Sequence, residues 1–155
     1  MKIVYIDMDN VLVDFTTGIQ RLNPADQVSF AGRLDEVPHI FSLMDPINGA
    51  VEAYHRIAEH YDTYILSTAP WNNPSAWSDK LDWVKKHIGA PAYKRLILSH
   101  HKNLNLGDYL IDDRLKNGVD KFNGIHIHFG SSAFPNWRSV LDHLLREARQ
   151  ESVEI

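Results

Sequence analysis

The sequence predicts an α/β fold, a parallel sheet flanked by helices, with a small helical cap inserted after the first strand. Three observations predict it. Short apolar runs alternate with helix-period patterns along most of the chain, the order that gives a parallel sheet covered on both faces. The first run, Ile3-Val4-Tyr5-Ile6, ends abruptly in Asp7-Met8-Asp9. From about residue 16 to 45 the rhythm breaks: no strand is evident, yet Phe30, Ile40, Phe41 and Leu43 stand among polar residues.

After the first strand, further strands are predicted at Thr63–Leu66, Arg95–Leu98, Tyr109–Ile111 and Ile125–Phe129, each followed by polar or turn-forming residues. Helices fill the gaps. One spans about Gly49 to His60; another starts near Ser75, carries Trp77, Leu81, Val84 and Ile88 as a core stripe, and stops at Gly89. The last begins around Pro135 with Val140, Leu141, Leu144 and Leu145, and frays after Arg149. Asp14 is placed to cap a helix through Thr17 and Ile19. The chain therefore divides into a core of about 1–15 and 46–150 and a cap of about 16–45, hinged near Phe15 and Asp45-Pro46 and folding as one domain.

Composition sets limits on function. A length of 155 residues suits one domain, and a net charge of -4 with a pI near 6.1 leaves no electrostatic footprint for a nucleic acid polymer. Clustered acids repel phosphates, so an anionic substrate would require a divalent cation. The chain has no cysteine, no basic and apolar leader and no apolar run of about 18 residues, which points to a soluble cytoplasmic protein away from membranes.

Four pieces of chemistry fall at strand ends. Side chains two apart on a strand share a face, so Asp7 and Asp9 can reach one cation and one substrate. Ser67-Thr68 follows Tyr64-Ile65-Leu66, where hydroxyl and backbone N–H groups can hold a phosphoryl oxygen. Lys102, in the loop after Ile97-Leu98, can neutralise both a phosphate and a nearby carboxylate. Asp112-Asp113, after Tyr109-Leu110-Ile111, can complete an oxygen-rich magnesium shell. Any one alone reads best as a turn, a cap or a surface charge. All four in order at four strand ends read as a site.

In that order the motifs resemble those of the haloacid dehalogenase (HAD) superfamily of phosphohydrolases. Asp7-Met8-Asp9-Asn10-Val11-Leu12-Val13-Asp14-Phe15, Ile65-Leu66-Ser67-Thr68-Ala69-Pro70 and Leu110-Ile111-Asp112-Asp113-Arg114 narrow the likeness to the 5′(3′)-deoxyribonucleotidase family. Trp83-Val84-Lys85-Lys86 and the spacing from Lys102 to Asp113 agree. The resemblance implies a Rossmann-like HAD core and a magnesium-dependent phosphatase that hydrolyses deoxyribonucleoside 5′(3′)-monophosphates through an aspartyl phosphate. It implies Asp7 as nucleophile and Asp9 as general acid and base. The metal shell would be Asp7, the backbone carbonyl of Asp9 and Asp113, with Asp112 behind or as an alternative. Ser67, Thr68 and Lys102 would hold the transferring oxygens. Phe15 stands where the family places a substrate-facing phenylalanine, and Phe41 where the cap returns to the core; both are candidates to grip base and sugar, with Trp71 and Asn72 nearby. Asn10 replaces the family's usual glycine, and asparagine is the next most tolerant residue of positive φ, so the turn is expected to survive.

Two rival readings are a phosphatase for another small phosphate ester and a non-catalytic nucleotide-binding protein. Intact Asp7, Asp9, Lys102 and Asp113 argue against the second. Oligomeric state stays open, a homodimer included. Nine histidines include His100-His101 and His126-x-His128, but no cysteine completes a transition-metal shell and both pairs read as ordinary satisfied histidines.

Overall fold

The computed structural model describes residues 1–153. The opening apolar run forms β1 (Ile3–Ile6), and a sharp turn leads into β2 (Val13–Asp14). Asp14 caps the next element, its carboxylate accepting the Thr16 N–H at 3.1 Å. There follow α1 (Phe15–Gln20), α2 (Pro24–Ser29) and two 3-10 turns, Leu34–Glu36 and Ile40–Leu43. The chain returns through β3 (Asp45–Pro46), antiparallel to β2 with Val13 opposite Pro46. The helical segment thus leaves and rejoins the core through one two-stranded ladder.

Helices and strands then alternate: α3 (Ala50–Ala58), β4 (Asp62–Ser67), α4 (Ser75–His87), β5 (Leu96–Leu98), β6 (Tyr109–Asp112), β7 (Ile125–His128) and α5 (Trp137–Val153). Five strands pair in parallel in the order β5-β4-β1-β6-β7. The chain adds β4 and β5 on one side of β1, then β6 and β7 on the other, so the order reverses at β1. That reversal opens the crevice in which such sheets bind ligands, and it brings the carboxyl ends of β1, β4 and β6 together, with Ile6 level with Ile65 and Ile111.

Val4, Ile6, Ile65, Ile111 and Ile127 pack with Ala53 and Ile57 of α3, Trp83 and Val84 of α4, and Val140 and Leu144 of α5 in the main core. The alternate residues Tyr5, Leu66 and Leu110 form a smaller cluster with Val119 from the 3-10 turn Val119–Lys121. A turn therefore covers this second face where the alternation predicts helix. The loop before β6 also packs closely on this face: Tyr5 Oη donates to Leu106 O at 2.7 Å, and a Cβ on Gly107 would stand 2.4 Å from the Tyr5 ring.

Two further expectations are corrected. Trp77 and Leu81 of α4 are 40% and 42% exposed, beside an apolar groove against β5, while Ala76, Lys80 and Trp83 face inward. Trp83 fixes this rotation, its indole N–H donating to Met44 O at 3.0 Å. The fraying expected after Arg149 is not seen up to Val153, since α5 continues that far and Glu151 pairs with Lys2; the last two residues of that expectation lie outside the described residues. No helix among the described residues is long and apolar enough to cross a membrane.

Candidate active site

The backbone after β1 is tightly knotted. The Asp7 N–H donates to Ile111 O at 2.9 Å, extending the ladder with β6, and the Met8 carbonyl accepts from Val11, Leu12 and Val13. Asn10 takes the left-handed position this requires, φ 61°, as expected of an asparagine there. The Trp137 indole N–H holds Val11 O at 2.8 Å, so α5 braces the turn. Asp7 is almost fully buried, and the Asp9 side chain is 18% exposed.

Lys102 opens the 3-10 turn Lys102–Leu104, and its N–H donates to Asn117 O at 2.8 Å. Its Nζ lies 2.9 Å from Asp7 Oδ1 and 2.6 Å from Asp112 Oδ2. Burial opposes the Lys102 charge, but the two carboxylates outweigh it and raise the pKa. Asp112 Oδ1 also accepts the Arg114 N–H at 2.9 Å, so both its oxygens are engaged. Asp113 differs, because its Oδ1 is buried without a partner. Burial, then the charges of Asp7 and Asp112, push its pKa up to about 7. One oxygen each from Asp7, Asp112 and Asp113 lie within 4.8 Å of one another. Such an all-oxygen cluster, with a partnerless oxygen, fits a hard divalent cation, and Asp113 is its freest ligand.

A second lysine serves Asp9. Lys80 of α4 is fully buried, with Nζ 3.0 Å from Asp9 Oδ2, 2.8 Å from Ser67 Oγ and 4.5 Å from the centre of the Phe41 ring. Burial, helped by the Asp7 charge, outweighs Lys80 and raises the Asp9 pKa. Asp9 Oδ1 is also buried without a partner, which disposes Asp9 to hold a proton. Ser67 Oγ accepts from Lys80, so its own hydrogen remains free for a phosphoryl oxygen. The Thr68 hydroxyl is committed elsewhere, donating to Ser99 O at 2.7 Å.

A cavity of about 600 Å³ lies between these strand ends and the helical segment. Asp9, Asn10 and Thr68 line it from the sheet, Phe15, Leu34 and Asp35 from the segment, and Trp71, His100, Arg114 and Lys116 from core loops. Phe15 stands in the wall where a substrate can meet it. Phe41 does not: it is 2% exposed, edge-on to Phe15 with ring centres 5.8 Å apart, and packed beneath the Lys80 ammonium. It backs the wall rather than facing the cavity. Trp71, 79% exposed, offers the open aromatic surface instead.

The family described as 5′ nucleotidase, deoxy (pyrimidine), cytosolic type C protein (NT5C) matches residues 20–143. The chain belongs to the NT5C family. A Vibrio phage KVP40 protein assigned as a 5′(3′)-deoxyribonucleotidase is 57% identical over 145 residues, covering 94% of this chain and 85% of the relative. The human 5′(3′)-deoxyribonucleotidase, cytosolic type, is 30% identical over 143 aligned positions, covering 72% of this chain and 70% of the relative. The crystal structure of a haloacid dehalogenase-like family hydrolase from Xanthomonas campestris matches 97% of this chain and 98% of its own, with a TM-score of 0.52 at 12% identity. The fold is therefore HAD-like, and this NT5C-family protein is a phosphoric monoester hydrolase.

In this family member, the four sequence motifs converge on two lysine-centred clusters side by side at the strand ends: Lys102 bridges Asp7 and Asp112, with Asp113 next to both acids, and Lys80 bridges Asp9 and Ser67. Sequence reasoning missed Lys80. Its signal was a lysine four residues after Ala76 and three before Trp83, on the face that those buried residues define. Lys85 and Lys86 lie on the exposed side of α4.

Proposed function

We propose that this nucleotidase is a magnesium-dependent phosphatase releasing phosphate from deoxyribonucleoside 5′(3′)-monophosphates through an aspartyl-phosphate intermediate. One observation carries the reading: two carboxylates two residues apart keep different company, Asp7 with Lys102 and Asp9 with Lys80. Asp7 would attack phosphorus. Asp9, disposed to hold a proton, would give it to the departing nucleoside oxygen, so that no bare alkoxide is expelled. Now ionised, Asp9 would take a proton from the water that hydrolyses the aspartyl phosphate, dividing one difficult displacement into two easier ones. Ser67 and Lys102 would hold the transferring oxygens, with the Thr68 segment alongside. Magnesium, held by Asp7, Asp113 and the backbone carbonyl of Asp9 with Asp112 behind, would neutralise charge on the phosphoryl oxygens.

Phe15 and Trp71 would offer the nucleobase flat apolar faces, a mode of binding tolerant of base identity. The assignment of the phage and human relatives as 5′(3′)-deoxyribonucleotidases favours deoxyribonucleotides over other phosphate esters, and the cytosolic type of the human relative favours a cytosolic setting.

The test is phosphate release from deoxyribonucleoside, ribonucleoside and sugar monophosphates, with magnesium and with a chelator, on wild type and Asp7→Asn. Magnesium-dependent release favouring deoxynucleotides and lost in Asp7→Asn is expected. Release from sugar phosphates alone would keep the chemistry and replace the substrate class; full activity in Asp7→Asn would remove it as nucleophile. Asp9→Asn should slow deoxynucleotides far more than p-nitrophenyl phosphate, whose leaving group needs no proton.

A further inference from the structure

The alternating pair His126-x-His128 on β7 has no part in the chemistry above. Both imidazoles nevertheless reach the acidic end of β6, where it passes into the following loop. His126 Nε2 lies 2.9 Å from Asp112 O, and His128 Nε2 lies 3.0 Å from Asp113 O. A carbonyl only accepts, so both Nε2 atoms carry a hydrogen and donate it. The rings stack with centres 5.2 Å apart and planes 23° from parallel, so each restricts the other's rotation. Strand register accounts for the reach: His126 is level with Leu110 and His128 with Asp112, and residues two apart share a face. With both Nε2 atoms bonded to carbonyls, the pair is not arranged as ligands of a transition metal.

We propose that His126 and His128 are positioning residues that clamp the Asp112-Asp113 loop in its cation-holding shape, an inference that rests on the metal site proposed above. The clamp answers an electrostatic problem. Carboxylate oxygens of Asp7, Asp112 and Asp113 crowd within 4.8 Å, and Asp113 Oδ1 has no partner to restrain it. Repulsion drives the Asp113 carboxylate outward, and a loop free to turn its peptide planes would let it go. Tying both carbonyls to β7 fixes those planes. The carbonyl oxygens then aim at β7, and the Arg114 N–H is left to donate to Asp112 Oδ1 at 2.9 Å. Asp112 O has a second donor, the Phe129 N–H at 3.1 Å, whereas the donor to Asp113 O is His128. The clamp is therefore thinnest at Asp113, the freest of the three acids, and His128 is the residue to test.

Hydrogen-bond partners standing behind metal ligands commonly change metal affinity about tenfold or more when removed. The experiment titrates the full chain with Mg2+ alone, without nucleotide, by calorimetry, and records melting in EDTA. His128 is exposed, so His128→Ala should leave the metal-free melting temperature nearly unchanged. It should weaken Mg2+ binding about tenfold. His128→Gln, whose amide N–H can stand where Nε2 stood, should restore most of that loss. In turnover, the Mg2+ concentration for half-maximal rate should rise in His128→Ala while the nucleotide KM holds. Unaltered Mg2+ affinity in His128→Ala, or a loss that His128→Gln does not restore, overturns the clamp alone. If wild type binds no Mg2+, or Asp113→Asn binds it as wild type does, the metal site falls and the clamp with it.

Discussion

Replacing Asp113 by asparagine should stabilise the metal-free protein, although Asp113 belongs to the proposed metal centre. Burial first, then the charges of Asp7 and Asp112, push this carboxyl from 3.8 up to about 7. A rise of that size corresponds to at most about 4 kcal/mol. The side chain is only half-buried, so solvent and salt reduce the figure to about 1–2 kcal/mol. The folded pKa lies above the unfolded one. The penalty is therefore absent below the unfolded value of 3.8, grows as pH rises towards about 7, and is full above it. Asparagine carries no charge, and its amide can donate to Asp7 or Asp112. For a domain of this length, about 1–2 kcal/mol moves the melting temperature by about 3–6 °C. The assay is thermal melting in EDTA at pH 8 and pH 5. Asp113→Asn should melt about 3–6 °C above wild type at pH 8 and gain less than about half of that at pH 5. Saturating Mg2+ should raise wild type alone and reverse the order. A lower melting temperature for the variant at pH 8 in EDTA would refute the electrostatic reasoning.

Two more outcomes test the neighbouring parts. Lys80→Met keeps bulk but strips Asp9 of its cation, raising the Asp9 pKa further; since that folded value lies above the unfolded one, stability should fall as pH rises. Melting should show a loss of about 3 kcal/mol at pH 8 and a smaller one at pH 5, and kcat should drop on the order of 100-fold. Trp71→Ala, at an exposed position, should leave melting and p-nitrophenyl phosphate turnover unchanged while raising the deoxynucleotide KM about 5-fold or more. An unchanged KM would take Trp71 out of the base site.

The strands and the acids were legible because their signals are local. A central parallel strand is apolar on both faces, so Ile3–Ile6 and Tyr109–Ile111 announce themselves, and a carboxylate directly after such a run has only the strand end to occupy. Phe15 and Phe41 show the limit. Both are apolar and flank the same segment, and only packing decides which meets the cavity; Lys80 and Phe15 cover Phe41 from two sides. His126 and His128 were legible as satisfied, but their partners are carbonyls, which no sequence pattern displays.

Lys80 was hidden for a different reason, which bears on how the site works. Periodicity assigns the apolar stripe of Trp77, Leu81 and Val84 to the core; Val84 reaches it, yet α4 is turned to bury Lys80 in place of Trp77 and Leu81. The rotation is set by the helical segment's attachments around the start of α4. The Asn73 amide donates to Asp35 O at 2.8 Å and to Val37 O at 3.1 Å, Ser75 Oγ accepts the His39 N–H at 2.8 Å, and Trp83 holds Met44 O. A charged group can occupy the buried face because Asp9, Ser67 and the Phe41 ring receive it there. The helix that carries the cation of Asp9 is thus the one to which the segment is fastened. In the proposed mechanism, the segment that supplies part of the base-binding wall and the lysine that pairs with the acid would therefore share one anchor, α4.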